Sequence, residues 1–434
     1  MVAAQQSQEG VEPQVLDEPK NTTFFKHVIT LLTGTAAAQL IPIALTPVLT
    51  RLFSPADFGQ FGIFFSLAML TGVTATLRYS YALLLPESDQ KALRLGWLCI
   101  GIAAAISLAL VIVVVPFAGH WERLLKQTSY TVPLYLLPVS TFLAGAQATL
   151  YTLANRRRAF RSMAISKVVQ AAGAVLISIL LAVFLDLTSL GLIMGYVAGQ
   201  VLGILSLSGT LKEFGIINRD SDVTISSVAK RYRGFALLSL PADFINMLTN
   251  QLPVFFISYY FTEAIIGQYN LTFRVIMGPL SILGVAILDV FKERAARDYN
   301  ETGSCRPIFL KTARILAFVG VPLLLILYPL APGLFAIIFG PEWREAGEYV
   351  QVLIPLFAAK FVISPLSYVI YIAERQAWDL VWQIALLVVV AASFFIGGSR
   401  GNFQLALAFF TWVYSAMYVL YFYLNYRFSV KQPA

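Results

Sequence analysis

The chain has 434 residues, 58% of them hydrophobic and 12% charged, with a mean hydropathy of +0.74 and a formal net charge of +8. Soluble domains carry roughly 25% charged residues, so a water-soluble globule is excluded; apolar stretches near the ~20 residues needed to cross a bilayer recur along the sequence and mark an integral membrane protein. Two histidines (His27, His120), two cysteines (Cys99, Cys305) without a C-x-x-C spacing and no glycine-rich phosphate loop exclude a histidine metal cluster, a disulfide framework and nucleotide hydrolysis by the chain itself.

In chain order, residues 1–26 are polar and aperiodic, lack the pattern of a signal peptide, and read as a disordered tail. Twelve hydrophobic runs follow, at residues 28–50, 58–85, 95–118, 132–154, 163–185, 188–210, 235–260, 264–289, 315–339, 350–372, 379–398 and 403–427. With Lys167 and Arg427 counted in the adjoining loops, Lys and Arg concentrate in the tail and the even-numbered loops, 23 against 5 in the odd-numbered loops, and Arg78, Arg274 and Lys360 lie inside spans. Positive loops stay on the cytoplasmic side, so both termini, including residues 428–434, are expected inside. Basic clusters such as Arg156-Arg157-Arg158 and Lys230-Arg231 read as contacts with an anionic leaflet, and no nucleic-acid partner is expected.

The phrase FSPADFGQF at residues 53–61 returns 208 residues later as FTEAIIGQY at residues 261–269. Each copy falls where an odd span turns into an even one. Ser54 is placed to cap the next helix, Pro55 to occupy its first turn and Asp57 to face its positive end; Thr262 and Glu263 are placed to do the same. Gly59 and Gly267 admit a close helix neighbour. A second echo, Ala154-Asn155-Arg156 against Ala373-Glu374-Arg375, follows spans 4 and 10. The chain therefore reads as six plus six spans: a first lobe at residues 27–212, a cytoplasmic linker at 213–234 and a second lobe at 235–427. Repeats of even span number share one orientation, so a pseudo-two-fold axis along the membrane normal and a central cleft are expected.

Ionisable residues inside a membrane mark a bundle interior or a substrate path. Span 2 carries Thr71, Thr74, Arg78 and Tyr81 at helical spacing. Span 7 carries Asp243, Asn246 and Asn250, span 8 Asn270 and Arg274, and span 10 Lys360, Ser364, Ser367 and Tyr371. Each set is expected on one helix face. Arg274 and Lys360 fall near mid-depth and are assigned to anion binding. Arg78 lies nearer the inner end, where snorkelling to headgroups is the alternative. Asp243 has two open readings, a structural pair with a nearby cation or an H+ or Na+ coupling site. Prolines 42, 47, 241 and 253 are placed to bend spans 1 and 7.

The stretch TPVLTRLFSPADFGQFGIFFSL, the GQYNLTFRV stretch of span 8, and FGPEWREAGEYVQVLIP with the later AERQAW resemble Wzx-type polysaccharide flippases of the multidrug/oligosaccharidyl-lipid/polysaccharide exporter superfamily, over residues 24–426. The resemblance implies an all-α membrane fold of twelve helices in two six-helix lobes. It also implies transfer of a polyprenyl-diphosphate-linked oligosaccharide from the inner to the outer leaflet of a bacterial cytoplasmic membrane by alternating access, with coupling to H+ or Na+. Arg274, Lys360, Arg78, Asn270, Asn246, Asn250 and Ser364 are then the expected substrate-binding residues and Asp243 the ion-coupling one. No covalent catalysis and no cofactor are expected; a glycan polymerase, a chain-length regulator and membrane lipids are expected partners. The alternatives are a multidrug/ion antiporter of the same superfamily, which calls for a more acidic or aromatic cavity, and a membrane glycan polymerase or ligase, for which the outer loops offer too few catalytic side chains.

Overall fold

The computed structural model describes residues 21–125, 130–211 and 225–431; the expected tail up to residue 20, the linker up to residue 224 and residues 432–434 lie outside them. Sixteen helices build the described chain. The first half comprises α1 (Asn21–Ala44), α2 (Thr46–Leu52), α3 (Pro55–Thr74), α4 (Asp89–Val114), α5 (Ala118–Leu125), α6 (Thr131–Arg156), α7 (Phe160–Leu185) and α8 (Ser189–Leu211). A short helix, α9 (Ile225–Arg231), lies within the expected linker, and α1 begins inside the segment expected as tail. The second half comprises α10 (Leu240–Tyr260), α11 (Glu263–Thr302), α12 (Arg306–Phe339), α13 (Arg344–Ile363), α14 (Val369–Ile372), α15 (Gln376–Ser399) and α16 (Phe403–Phe428).

Eleven helical stretches among the described residues are long and apolar enough to cross a membrane, and α10 is not one of them. Its sequence places Asp243, Asn246, Asn250 and Gln251 among the apolar residues of the seventh expected span, which lowers its hydropathy. A helix of this kind needs protein rather than lipid around its polar face, and α10 packs against α3 and α15.

Span 1 is divided at Leu45 into α1 and α2, and two further expected spans are interrupted. Span 2 does not run helically to residue 85: α3 stops at Thr74, Leu77 and Arg78 take left-handed backbone angles (φ 45° and 63°), and a 3-10 turn covers Tyr79–Leu84. The expected common face of Thr71, Thr74, Arg78 and Tyr81 is therefore broken, because a left-handed residue reverses the direction in which the chain leaves the helix. Span 10 breaks after Ile363 into a 3-10 turn, Ser364–Leu366, and the single turn α14. Pro365 supplies the reason, since it has no N–H to continue the ladder. The stripe from Lys360 to Tyr371 is divided at that point.

The repeated phrase forms one contact between the halves. At the start of α3, Ser54 Oγ accepts from the Asp57 amide at 3.2 Å while Asp57 Oδ2 accepts from the Ser54 amide at 2.9 Å, a reciprocal capping box. In the second copy Thr262 makes no side-chain cap; Glu263 turns instead to the other half and accepts from Gln60 Nε2 at 2.9 Å. The helices cross so closely that a Cβ on Gly59 would stand 1.9 Å from the Glu263 carbonyl oxygen, and one on Gly267 would stand 1.9 Å from that of Pro55. Glu263 occupies in the second phrase the place of Pro55 in the first, so the two contacts are one contact seen from either side.

The second echo holds in the backbone but not in the expected letters. After α6 the Ala159 amide donates to the Ala154 carbonyl (2.9 Å) and Arg158 has φ 56°; after α14 the Arg375 amide donates to the Ile370 carbonyl (2.9 Å) and Glu374 has φ 55°. These are two copies of a left-handed helix stop with a six-to-one hydrogen bond. Structurally, Arg158 matches Glu374, three residues out of step with the match of Arg156 to Arg375, because the turn constrains hydrogen-bond geometry rather than residue identity.

Candidate functional site

The halves enclose a cavity of about 760 Å3 lined by residues from α1, α2, α3, α7, α8, α10, α11, α13 and α16. Arg274, Lys360, Asn270 and Asn250 of the expected site line it. Arg78, Asn246, Ser364 and Asp243 do not. None of the lining residues is acidic, and neither Arg274 nor Lys360 has a carboxylate within 4.0 Å among the described residues.

Each cavity group is positioned by local structure. Lys360 sits in the last turn of α13, and the negative end of a helix favours a cation. Its Nζ stands 5.2 Å over the Tyr414 ring of α16, a cation–π contact that steadies the charge without neutralising it. Arg274 follows Asn270 by one turn of α11, on the same face. Asn270 Nδ2 is buried without a hydrogen-bond partner among the described residues, and it fits beside α3 because residue 62 is glycine: a Cβ there would lie 2.0 Å from it. Asn250 Nδ2 donates to Asn246 O at 2.9 Å and lies 3.2 Å from Asn246 Oδ1, so Asn246 touches Asn250 rather than the cavity.

A third cation belongs to the cavity and was counted in the sequence with the basic loop after span 4. Lys167 lies in the third turn of α7, donates to Thr35 Oγ1 at 3.2 Å and stands 5.0 Å over the Tyr151 ring. Its closeness to Arg156, Arg157, Arg158 and Arg161 in sequence hid it; the apolar run after residue 162 was the signal available.

Arg78 and Asp243 meet each other instead of the cavity. The left-handed turn at residue 78 sends the guanidinium across to α10, where Nε lies 2.7 Å from Asp243 Oδ2, while Nη1 donates to Tyr81 OH at 2.6 Å. The pair bridges the halves on the side of the cavity remote from the repeated phrase. At the phrase end the joint is broader: Trp343, fully buried, donates through Nε1 to Thr50 O at 3.1 Å and packs edge-on against Phe58, and Arg51 reaches Ile338 O at 3.1 Å.

Sequence reading also passed over Asp379, in the first turn of α15. This buried carboxylate accepts from Tyr371 OH (2.9 Å), Tyr421 OH (2.6 Å) and Gln383 Nε2 (2.8 Å), neutral donors that tie α14, α15 and α16 together at the broken span 10.

The fold is that of known membrane transporters. It matches the lipid II flippase MurJ in an inward closed conformation with a TM-score of 0.70 at 13% identity, covering 93% of this chain and 87% of that one. It matches an inward-facing multidrug resistance MATE family transporter of the MOP superfamily with a TM-score of 0.61 at 14% identity, covering 96% of both chains. Among curated proteins, the succinoglycan biosynthesis transport protein ExoT of Rhizobium meliloti (strain 1021) is 20% identical over 368 residues, 83% of this chain and 70% of that protein. The teichuronic acid biosynthesis protein TuaB of Bacillus subtilis (strain 168) is 23% identical over 193 residues, 44% of this chain and 39% of that protein, so the match spans about two fifths of that relative's length. Residues 48–348, well over half of the sequence and all of the contact between the repeated phrases, match one family, and the chain is a member of it: the polysaccharide biosynthesis proteins.

Proposed function

We propose that the protein is a flippase that carries a polyprenyl-diphosphate-linked oligosaccharide from the inner to the outer leaflet of a bacterial cytoplasmic membrane, with both termini inside. The observation that carries this reading is a cavity between two lobes in which Arg274 and Lys360 have no carboxylate partner among the described residues and Asn270 has a buried, unused donor. Uncompensated charge away from water is costly, and an anionic group arriving with the substrate offsets that cost. A diphosphate crossing hydrocarbon alone meets a desolvation barrier of many kcal/mol; the cationic cavity lowers it. Saccharide transport in the relatives' names supports the same substrate class. The absence of acidic groups from the lining favours an anion over the cations that a multidrug antiporter of the same superfamily carries.

In this reading the lobes, residues 27–212 and 235–427, rock about the crossing of α3 and α11. Release of the Arg78–Asp243 pair opens the cavity on the side of the termini. Asp243 is the residue at which an H+ or Na+ gradient acts, because neutralising it removes the partner that holds Arg78. No bond of the substrate is broken.

The test is replacement of Arg274 and Lys360 by alanine, singly and together, in a host that makes the glycan. Surface polysaccharide falls in each single variant and is lost in the double one, while membrane levels of the protein stay normal. Normal surface glycan in the double variant overturns the proposal.

A further inference from the structure

Two basic clusters on the side of the termini differ in what the fold leaves them. Arg156 and Arg157 are taken up within the first half, each 2.9 Å from Asp89 at the start of α4. The cluster at the end of α9 is not absorbed in this way. Arg231 stands 3.9 Å from Glu87, while Lys230 and Arg233 are exposed and have no carboxylate within 4.0 Å among the described residues. The helix itself is fixed: Val228 is buried in the apolar cluster of Tyr79, Leu83 and Leu93, and Tyr79 OH donates to Ala229 O at 3.1 Å. Between α9 and α10 the chain makes a π turn, Phe235–Ser239, closed by the Leu240 amide on the Phe235 carbonyl. Pro241 follows and has no N–H with which to tighten it; such turns are rare and collect at functional sites. Phe235 and Ala236 pack inward on the same cluster, whereas the adjacent Leu237 and Leu238 are 65% and 76% exposed. Lys230, Arg231, Arg233, Leu237 and Leu238 line one groove of about 890 Å3.

We propose that this groove binds one anionic phospholipid of the leaflet on the side of the termini, with the phosphate on Lys230 and Arg233 and an acyl chain along Leu237 and Leu238. The chemistry changes along the chain as it does along a lipid at an interface. Basic side chains come first, and apolar ones follow about one helical turn further into the seventh expected span. Cations without acidic partners and exposed leucines in one groove match a ligand with a negative head and a hydrocarbon chain. A free phosphate satisfies only the first group and a neutral lipid only the second. Diffuse attraction to an anionic leaflet acts on every basic loop alike, but Asp89 already holds Arg156 and Arg157, so the two clusters are not equivalent. The site lies outside the cavity and spans the linker, since α9 packs on the first half and Leu237 and Leu238 lead into α10 of the second. Only the inward placement of the termini is taken from the flippase reading.

Native mass spectrometry of the purified full chain in detergent tests the site with three probes: dioleoylphosphatidylglycerol, dihexanoylphosphatidylglycerol and dioleoylphosphatidylcholine. The first dioleoylphosphatidylglycerol binds roughly tenfold more tightly than dioleoylphosphatidylcholine, as two basic side chains at a headgroup provide. Lys230→Gln combined with Arg233→Gln removes that preference. Arg157→Gln combined with Arg158→Gln, an equal loss of charge in the other cluster, keeps the preference within about twofold. Leu237→Ser combined with Leu238→Ser, which changes no charge, reduces the advantage of the dioleoyl over the dihexanoyl phosphatidylglycerol. A wild type without headgroup preference, or equal weakening by the two charge-removing pairs, overturns the site. Displacement of the lipid by inorganic phosphate, or by farnesyl diphosphate at equal concentration, also overturns it and assigns the groove to free phosphate or to the cargo. Lipid binding is read without transport, so its failure leaves the flippase reading standing. Normal surface glycan in the Arg274 and Lys360 double variant overturns that reading and leaves the lipid site intact.

Discussion

Two glycines on α3, one turn apart, separate the joint between the halves from the chemistry of the cavity. At Gly59 an added methyl meets backbone: its carbon would lie 1.9 Å from the Glu263 carbonyl oxygen and 2.6 Å from the carbonyl carbon. Ordinary contact begins near 3.4 Å, so α3 and α11 must part by about 1.5 Å in Gly59→Ala. Overpacking costs about 1–3 kcal/mol in a close-packed site, and the upper end applies because neither helix backbone has a rotamer through which to yield. At Gly62 the same methyl meets side chains rather than backbone, Asn270 Nδ2 at 2.0 Å and, less tightly, Asn270 Cγ and Ile266 Cγ2 at 3.2 Å, and a side-chain amide can swing aside. Gly59→Ala is therefore expected to lower the unfolding temperature of the detergent-purified protein and to reduce surface glycan. Gly62→Ala is expected to leave the unfolding temperature close to wild type while weakening binding of farnesyl diphosphate, because it turns the Asn270 donor away. Fluorescence-detected gel filtration after heating gives the first quantity and ligand titration the second. Equal unfolding temperatures for Gly59→Ala and wild type would refute the close crossing; unchanged affinity in Gly62→Ala would refute the role given to Asn270.

Other outcomes follow from the same geometry. Arg78→Ala and Asp243→Ala each reduce transport, and the exchange Arg78→Asp with Asp243→Arg restores part of it; the partial exposure of the pair (18% and 38%) keeps the direct stability effect to about 1 kcal/mol. No recovery in the exchange would argue that the two residues act separately. Asp243→Asn keeps the shape but not the charge and is expected to remove the dependence of glycan export on pH or sodium; an unaltered dependence leaves Asp243 as a structural partner of Arg78. Asp379→Ala takes the acceptor from Tyr371, Tyr421 and Gln383 together, at roughly 1–3 kcal/mol for the buried Tyr421 hydroxyl left unpaired and less for the other two, which water can reach. Its unfolding temperature should fall clearly, and a value equal to wild type would show that water or neighbouring groups replace the carboxylate.

Hydropathy located the helices well because a bilayer span leaves a long apolar run whatever its neighbours do. It was blind to the break between Thr74 and Tyr79, where no proline or glycine stands and the residues remain largely apolar; only the left-handed angles of Leu77 and Arg78 reveal it. The break after Ile363 had a visible cause in Pro365, yet the run continues in composition and conceals it. Arg274, Asn270 and Lys360 were legible as cavity residues because charge at mid-depth has few other places to go. Arg78 was not, since its backbone conformation, rather than its depth, decides where its side chain points. Lys167 and Asp379 were obscured by charged neighbours in sequence: each reads as part of a turn, and each is drawn inward by the helix that starts just before it. The glycine crossing was legible in kind, as a site for a close neighbour, while the identity of that neighbour required the fold.

The contact in which Gly59 meets Glu263 and Gly267 meets Pro55 has the form of an isologous dimer interface, the same patch presented by two copies of one unit. Covalent joining of such copies removes the requirement that both sides stay alike. The consequences are visible at the phrase itself: one copy keeps Ser54 and Asp57 as a self-contained cap, and the other has released its acidic residue to hold Gln60 across the axis. Gly62 and Asn270, 208 positions apart, have diverged further, one giving up a side chain so that the other can keep one. Two like halves in one chain can thus present a one-sided, unpaired amide at a symmetric joint, which an assembly of identical subunits could not.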